Sequence, residues 1–133
     1  MLAAWGKKNR QDAVAKFPLE DAQLDLFFTE DILNPHWQEH PQNPVCKGQQ
    51  QFRMAGKPFV YQNKLVRPSQ DSLKRYGGNI ELKEITRLGP SEYHEQLLEV
   101  VVPHWNNADD GCHTINAEPD FVVLDAIRLS PKA

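Results

Sequence analysis

Hydrophobic and polar positions alternate with a period of two over Gln23–Thr29: Leu24, Leu26 and Phe28 fall on one face, and Asp25, Phe27 and Thr29 on the other. That is the spacing of a β-strand with one face turned inward. Upstream, the apolar run Met1–Trp5 is cut off by Gly6. It predicts a short strand, with Ala3, Ala4 and Trp5 forming a hairpin against Gln23–Thr29 across a long loop. An amphipathic helix over Gln11–Lys16 competes for part of that loop, but about one and a half turns are marginal without tertiary support. Further on, Lys57–Gln62 and Leu65–Arg67 are short β-prone runs on either side of Asn63-Lys64, a plausible two-residue turn because Asn tolerates positive φ. Pro68 lacks a backbone donor, which places Arg67 at a strand end or on an edge.

The second half of the chain continues the alternation less regularly. Ile80–Leu88 turns Ile80 and Leu82 inward and, after a slip, Ile85 and Leu88; a helix competes, because the last two also fit a three-residue spacing. Tyr93–Val102 opens with helix-compatible residues and ends β-branched before Pro103, so its second half reads as a strand. Cys112–Asn116 and Phe121–Leu129, joined by the turn Glu118-Pro119-Asp120, make a closing hairpin. Asp125 lies inside its apolar arm and needs a partner, Arg128 or a turn amide, since an unpaired buried carboxylate is costly.

Composition sharpens the class. Ten prolines and seven glycines in 133 residues, with few Ala- or Leu-rich windows, indicate short strands joined by irregular loops and an all-β fold. At 15.2 kDa the chain has room for one hydrophobic core. A net charge of −3 with scattered basic residues excludes a concentrated basic face, and with it a nucleic-acid partner. No window approaches the length of a membrane-spanning helix and no signal-peptide pattern opens the chain, so no membrane partner and a cytoplasmic location are expected. Cys46 and Cys112 have no CxxC spacing and are expected as free thiols. His36 and His40 lie among Pro35 and Pro41 in a connection pinned by Trp37, and their separation does not mark a metal site. The loop Trp105–Gly111 holds Asp109 and Asp110 but lacks the spacing and terminal Glu of a calcium loop. Neither a cofactor nor a metal is expected.

The polar chemistry gathers after the central hairpin, where Arg67, Gln70 and Asp71 bring a cation, an amide and a carboxylate within five residues of one strand end. Such ends are where β scaffolds present binding groups. A plain turn-fixing Arg67–Asp71 ion pair accounts for the same residues.

Several motifs then line up in order: WQEHPQNPV (37–45), RMAG (53–56), LVRPSQD with Tyr76-Gly77, IELKEITRL (80–88), YHE (93–95), and HTIN (113–116) followed by LDAIR (124–128). Together they resemble the C-terminal part of a five-bladed β-propeller related to the arabinanase, xylosidase and invertase group of glycoside hydrolases. The branch most similar is the one found beside sugar formyltransferases and plant sphingolipid glycosyltransferases. The resemblance spans about residues 22–129 and implies two to three blades over 22–133, preceded by a clipped strand and loop over 1–21. It implies a polar funnel that takes a carbohydrate or glycan, with Asp71 and His113 as catalytic candidates and Arg67, Gln70, Tyr76 and Asn116 as substrate-binding candidates. The hydrolases of this group draw carboxylates from their first three blades, and the resemblance implies that this chain begins inside a middle blade. No acid and base pair flanking a glycosidic bond is visible; Asp125 reads as structural, and Glu95 is the remaining carboxylate to set beside Asp71. Three functions follow as expectations: a glycosidase-like or glycosyl-transfer enzyme, a noncatalytic glycan-binding module, and a segment that self-associates through exposed blade edges.

Overall fold

The computed structural model describes residues 2–4, 23–47, 53–71, 77–103 and 111–128. They form three antiparallel sheets and no helix, so the fold is all-β. The helix weighed over Gln11–Lys16 and the Asp109-Asp110 turn lie outside the described residues, as does Tyr76.

The first sheet is organised on β2 (Gln23–Phe28). One edge takes β1 (Leu2–Ala4), with Ala3 opposite Leu26 as the hairpin reading requires. The other edge takes β3 (Gln38–Glu39) and β4 (Cys46–Lys47) in turn. Between those two short strands the Asn43 side chain replaces a missing neighbour: its Oδ1 accepts from Leu26 N and its Nδ2 donates to Leu26 O, both at 2.8 Å. Leu24 and Leu26 are buried, as the alternation predicts. Trp37 does not pin the connection, because its ring is 46% exposed. His40 holds the loop instead. Its Nδ1 accepts from Gln42 N at 3.2 Å and its Nε2 donates to the Gly89 carbonyl at 3.1 Å, a pairing that fixes the Nε2–H tautomer.

The second sheet runs β5 (Phe59–Tyr61), β6 (Lys64–Asp71), β7 (Asn79–Leu88), β8 (Tyr93–Val101). Its first turn is Gln62-Asn63, with φ of 50° and 59°, one residue earlier than expected. Tyr61 opposes Lys64, which leaves two residues in a left-handed pair whose twist matches the strands. Pro68 does not end β6 either. Its carbonyl accepts from Ala55 N at 3.0 Å, so its nitrogen points to the same side, beyond the last β5 pair at Phe59 and Val66. No ladder bond to β7 is lost, and Arg67 sits inside the strand. In β7 the ladder shifts register twice, between Leu82 and Lys83 and between Ile85 and Arg87, but the shifts do not turn Leu88 inward: it is exposed, and Ile85 is half-buried. β8 is extended along its whole length, its first half included, because all of its residues but Leu98, at the register shift, pair along β7.

The third sheet is the hairpin of β9 (Ile115–Glu118) and β10 (Phe121–Leu124). β10 stops short of the expected Leu129. Asp125 turns its carboxylate back to accept from His113 N and Thr114 N, each at 2.7 Å, which identifies turn amides as its partners. Both cysteines are free thiols.

The two faces of the second sheet differ in kind. Val66, Ile80 and Leu82 pack with Ala55, Cys112 and Ile115 into an apolar cluster that joins it to the third sheet. The opposite face carries Arg67, Ser69 and Lys83, all buried, toward the first sheet. Backbone meets backbone closely on the apolar side. Gly56 has φ +145°, and a Cβ there would lie 2.0 Å from the Ile115 carbonyl oxygen, whose own amide donates to Ala55 O at 2.7 Å. Gly56→Ala is therefore expected to destabilise the fold by about 2–4 kcal/mol in urea unfolding; a change below about 0.5 kcal/mol would show that this approach is dispensable.

Candidate functional site

Alternation along β6 sends Arg67 to one face and Gln70 to the other, so the polar cluster that the sequence suggests is divided between two environments. On the first, Arg67 is 1% exposed. Its Nε donates to Glu95 Oε2 at 2.7 Å and its Nη2 to Glu95 Oε1 at 2.6 Å, a two-point fork. Nη1 also donates to Met54 Sδ at 3.7 Å, and the Tyr93 hydroxyl donates to Glu95 Oε2. Tyr93 and Glu95 stand two apart on β8 and so share a face. Beside them Lys83 Nζ lies 2.8 Å from Glu81 Oε2. Burial pushes the Glu95 carboxyl upward, but the Arg67 fork and the Tyr93 hydroxyl outweigh it and hold the group below the usual carboxylate range. Burial and the adjacent carboxylate push the Tyr93 phenol up. The fork expected to meet a sugar is thus filled by a carboxylate of the same chain.

On the other face, Gln70 is 4% exposed. Its Nε2 donates to the His113 carbonyl at 2.9 Å, which assigns Oε1 as the opposite atom. Among the described residues Oε1 is buried with no hydrogen-bond partner. His113 is positioned by Asp125 through its amide and through Nδ1, 3.2 Å from Oδ2. Its imidazole lies over Gly77, where φ is +67° and a Cβ would come within 2.3 Å of Nε2. Asp71 ends β6, with Asn79 Nδ2 at 3.5 Å from its Oδ2. Asn116 is exposed on β9, and its Oδ1 accepts from Lys57 N at 3.4 Å. The structure therefore brings Gln70 and His113 into direct contact and leaves Asn116 on the neighbouring hairpin. Asp71, at the strand end, falls by the same alternation on the face of Arg67 and not on that of Gln70.

Asp125 is the positioning group that the sequence marked only as structural; its place after an apolar strand was the available signal. Burial tends to raise its pKa, and the amides of Thr114 and His113 lower it further than burial raises it. Among the described residues no three His, Cys, Asp or Glu groups converge to hold a metal ion.

Removing Arg67 would leave Glu95 buried without its counter-ion, so Arg67→Ala is expected to cost about 3–5 kcal/mol in denaturant unfolding. Glu95 also sets a pH dependence. Its folded pKa is depressed, so its stabilising contribution is complete above the unfolded Glu value of about 4.3 and is lost as pH falls through the lower folded value. Stability followed from pH 7 downward should decline in that acid window, and the decline should be shallower in Glu95→Gln; an identical acid limb would remove Glu95 from the account.

A model of the family described as glucosamine inositolphosphorylceramide transferase 1, N-terminal, matches residues 10–128. The transferase of that name from Oryza sativa subsp. japonica is 33% identical over 78 residues, 57% of this chain and 10% of the relative. The Arabidopsis thaliana protein of the same name is 31% identical over 78 residues, with the same coverage. The chain thus spans about a tenth of the length of the curated relatives it matches. No solved structure matches. Of the relationships that the motifs suggested, the match falls on the plant sphingolipid glycosyltransferase branch: with the model covering most of its length, the chain belongs to the N-terminal family of glucosamine inositolphosphorylceramide transferase 1.

Proposed function

We propose that this chain is a noncatalytic sugar-binding segment of a β-propeller that serves a glycosyltransferase. The observation that carries the reading is Gln70 Oε1, an acceptor buried with no donor to meet it among the described residues. Leaving an amide oxygen so costs about 1–3 kcal/mol, and a hydroxyl or amino group of a sugar is the type of donor that recovers it. His113 holds the other end of the Gln70 amide through its carbonyl, Asn116 follows on the adjoining hairpin, and Arg67 belongs to the scaffold. Three antiparallel sheets following one another along the chain, the middle one a four-stranded meander, are compatible with successive propeller blades.

Catalysis of glycoside hydrolysis needs one carboxyl group with a raised pKa to act as acid. Glu95 and Asp125 are instead both lowered, each by donors that occupy its oxygens. Neither of these two carboxylates is therefore poised as that acid. The relatives' name supplies the first ligands to try, glucosamine and N-acetylglucosamine.

Titration calorimetry of the chain with a panel of mono- and oligosaccharides that includes both is expected to show binding. Gln70→Leu, checked by circular dichroism for an unchanged fold, should weaken it about tenfold, or ~1.4 kcal/mol. A folded protein that gives no heat with any member of the panel would end the proposal.

A further inference from the structure

The fork of Arg67 on Glu95 uses Nε and Nη2, and Nη1 turns to a sulfur. That sulfur belongs to Met54, on the segment just before β5, which meets Ser69 of β6 across an isolated bridge. Its neighbours fix it there: the Arg53 carbonyl accepts from Gln70 N at 2.9 Å, and Ala55 N donates to the Pro68 carbonyl at 3.0 Å. Ala55 packs into the apolar cluster, so alternation turns Met54 to the opposite face, that of Arg67. There Nη1 donates to Sδ at 3.7 Å. Arg67 is sealed from water, but Met54 is only half-buried, so its thioether lies between a buried cation and the outside of the molecule.

A thioether sulfur is a weak acceptor, and a guanidinium N–H is bound more strongly by an oxygen. We propose that Met54 is a site of oxidation by peroxide and that Arg67 Nη1 receives the sulfoxide oxygen. In the step a sulfur lone pair attacks one oxygen of hydrogen peroxide, and the O–O bond breaks as the S–O bond forms. The other oxygen leaves with both protons as water; the sulfur loses two electrons and the peroxide gains them. The new oxygen sits on the atom that Nη1 already faces. A sulfoxide disrupts an apolar core because it brings in a polar group with no partner. Here the partner is in place and charged. The fork on Glu95 is untouched, because it uses the other two guanidinium nitrogens. The oxidised chain is therefore held at this point at least as firmly as the reduced one. The inference stands on the Arg67 cluster and is independent of any sugar site.

Treatment of the chain with hydrogen peroxide, followed by peptide mass mapping and urea unfolding, tests it. Met1 is the other methionine, and Met54→Leu reports the effect of its oxidation alone. The expected result is a gain of one oxygen at Met54 in the folded chain, with an unchanged circular dichroism spectrum and a urea midpoint no lower than that of the reduced chain. A Met54 that stays reduced in the folded chain and is oxidised only in urea would overturn the proposal. So would a midpoint that falls on oxidation by more than it falls in Met54→Leu. Two variants read the same contact without an oxidant. Met54→Gln supplies a carbonyl oxygen where the sulfoxide would carry its own, and Met54→Leu fills the volume with no acceptor, so Met54→Gln should unfold at the higher urea concentration. The reverse order would show that the site needs apolar packing and not an oxygen for Nη1, and would overturn the proposal equally.

Discussion

The buried pairing of Arg67 with Glu95 is the constraint on which the arrangement of the first two sheets depends. A guanidinium at 1% exposure has lost its hydration, and a carboxylate alone would not recover that loss unless its geometry were near ideal. Here the fork is two-pointed, the second carboxylate oxygen also takes the Tyr93 hydroxyl, and the remaining guanidinium nitrogen reaches Met54. The set draws on β6 and β8 and on the segment just before β5, so it locks strands that are not adjacent to one another. It also dictates what may lie on top. The first sheet seals this face with tethers of its own, Gln42 Oε1 accepting from Tyr93 N at 2.6 Å and His40 bonding to Gly89 O, rather than with apolar area alone.

The opposite face of the same sheet is governed by a different rule. There Val66, Ile80, Leu82, Cys112 and Ile115 exclude water, and the sheets approach until glycines are required at Gly56 and Gly111, where a Cβ would lie 2.1 Å from the Gly77 carbonyl oxygen. Non-directional packing fixes distance but not register. Register across this interface comes from a few backbone bonds, Ile115 N to Ala55 O and Cys112 N to Gly77 O, and from the Gln70 amide on the His113 carbonyl.

Much of the fold was legible because it is local. The alternation of β2 and the tight hairpins β5–β6 and β9–β10 follow from residues within a few positions of one another, and the amides that Asp125 takes lie only 11 and 12 positions back across such a hairpin. What failed was long-range or depended on which side of a strand a group faces. The partner of Arg67 lies 28 positions downstream, and nothing near LVRPSQD announces it; the signal was the Tyr-x-Glu spacing of β8, which places two polar groups on one inward face. Pro68 was misjudged because the sequence shows a missing donor but not the direction in which it would have pointed. Trp37 was expected to be an anchor on the strength of its size, whereas the loop is held by polar contacts of His40 and Asn43.

The same distinction separates scaffold from site among the residues that the motifs singled out. Arg67 has the richest binding chemistry of the group and is the most fully committed internally, while Gln70, a neutral amide three residues on, has one polar end without a partner among the described residues. Its committed end rests on the carbonyl of His113, and His113 is held in turn by Asp125 through both backbone and ring. A chain of fixed bonds thus runs from the third sheet to the end of β6 and holds the free oxygen in place. Preorganisation of this kind lowers the ordering cost of binding, so in the proposed sugar site a single neutral acceptor would recognise a donor without the desolvation that a charge at the same depth would incur.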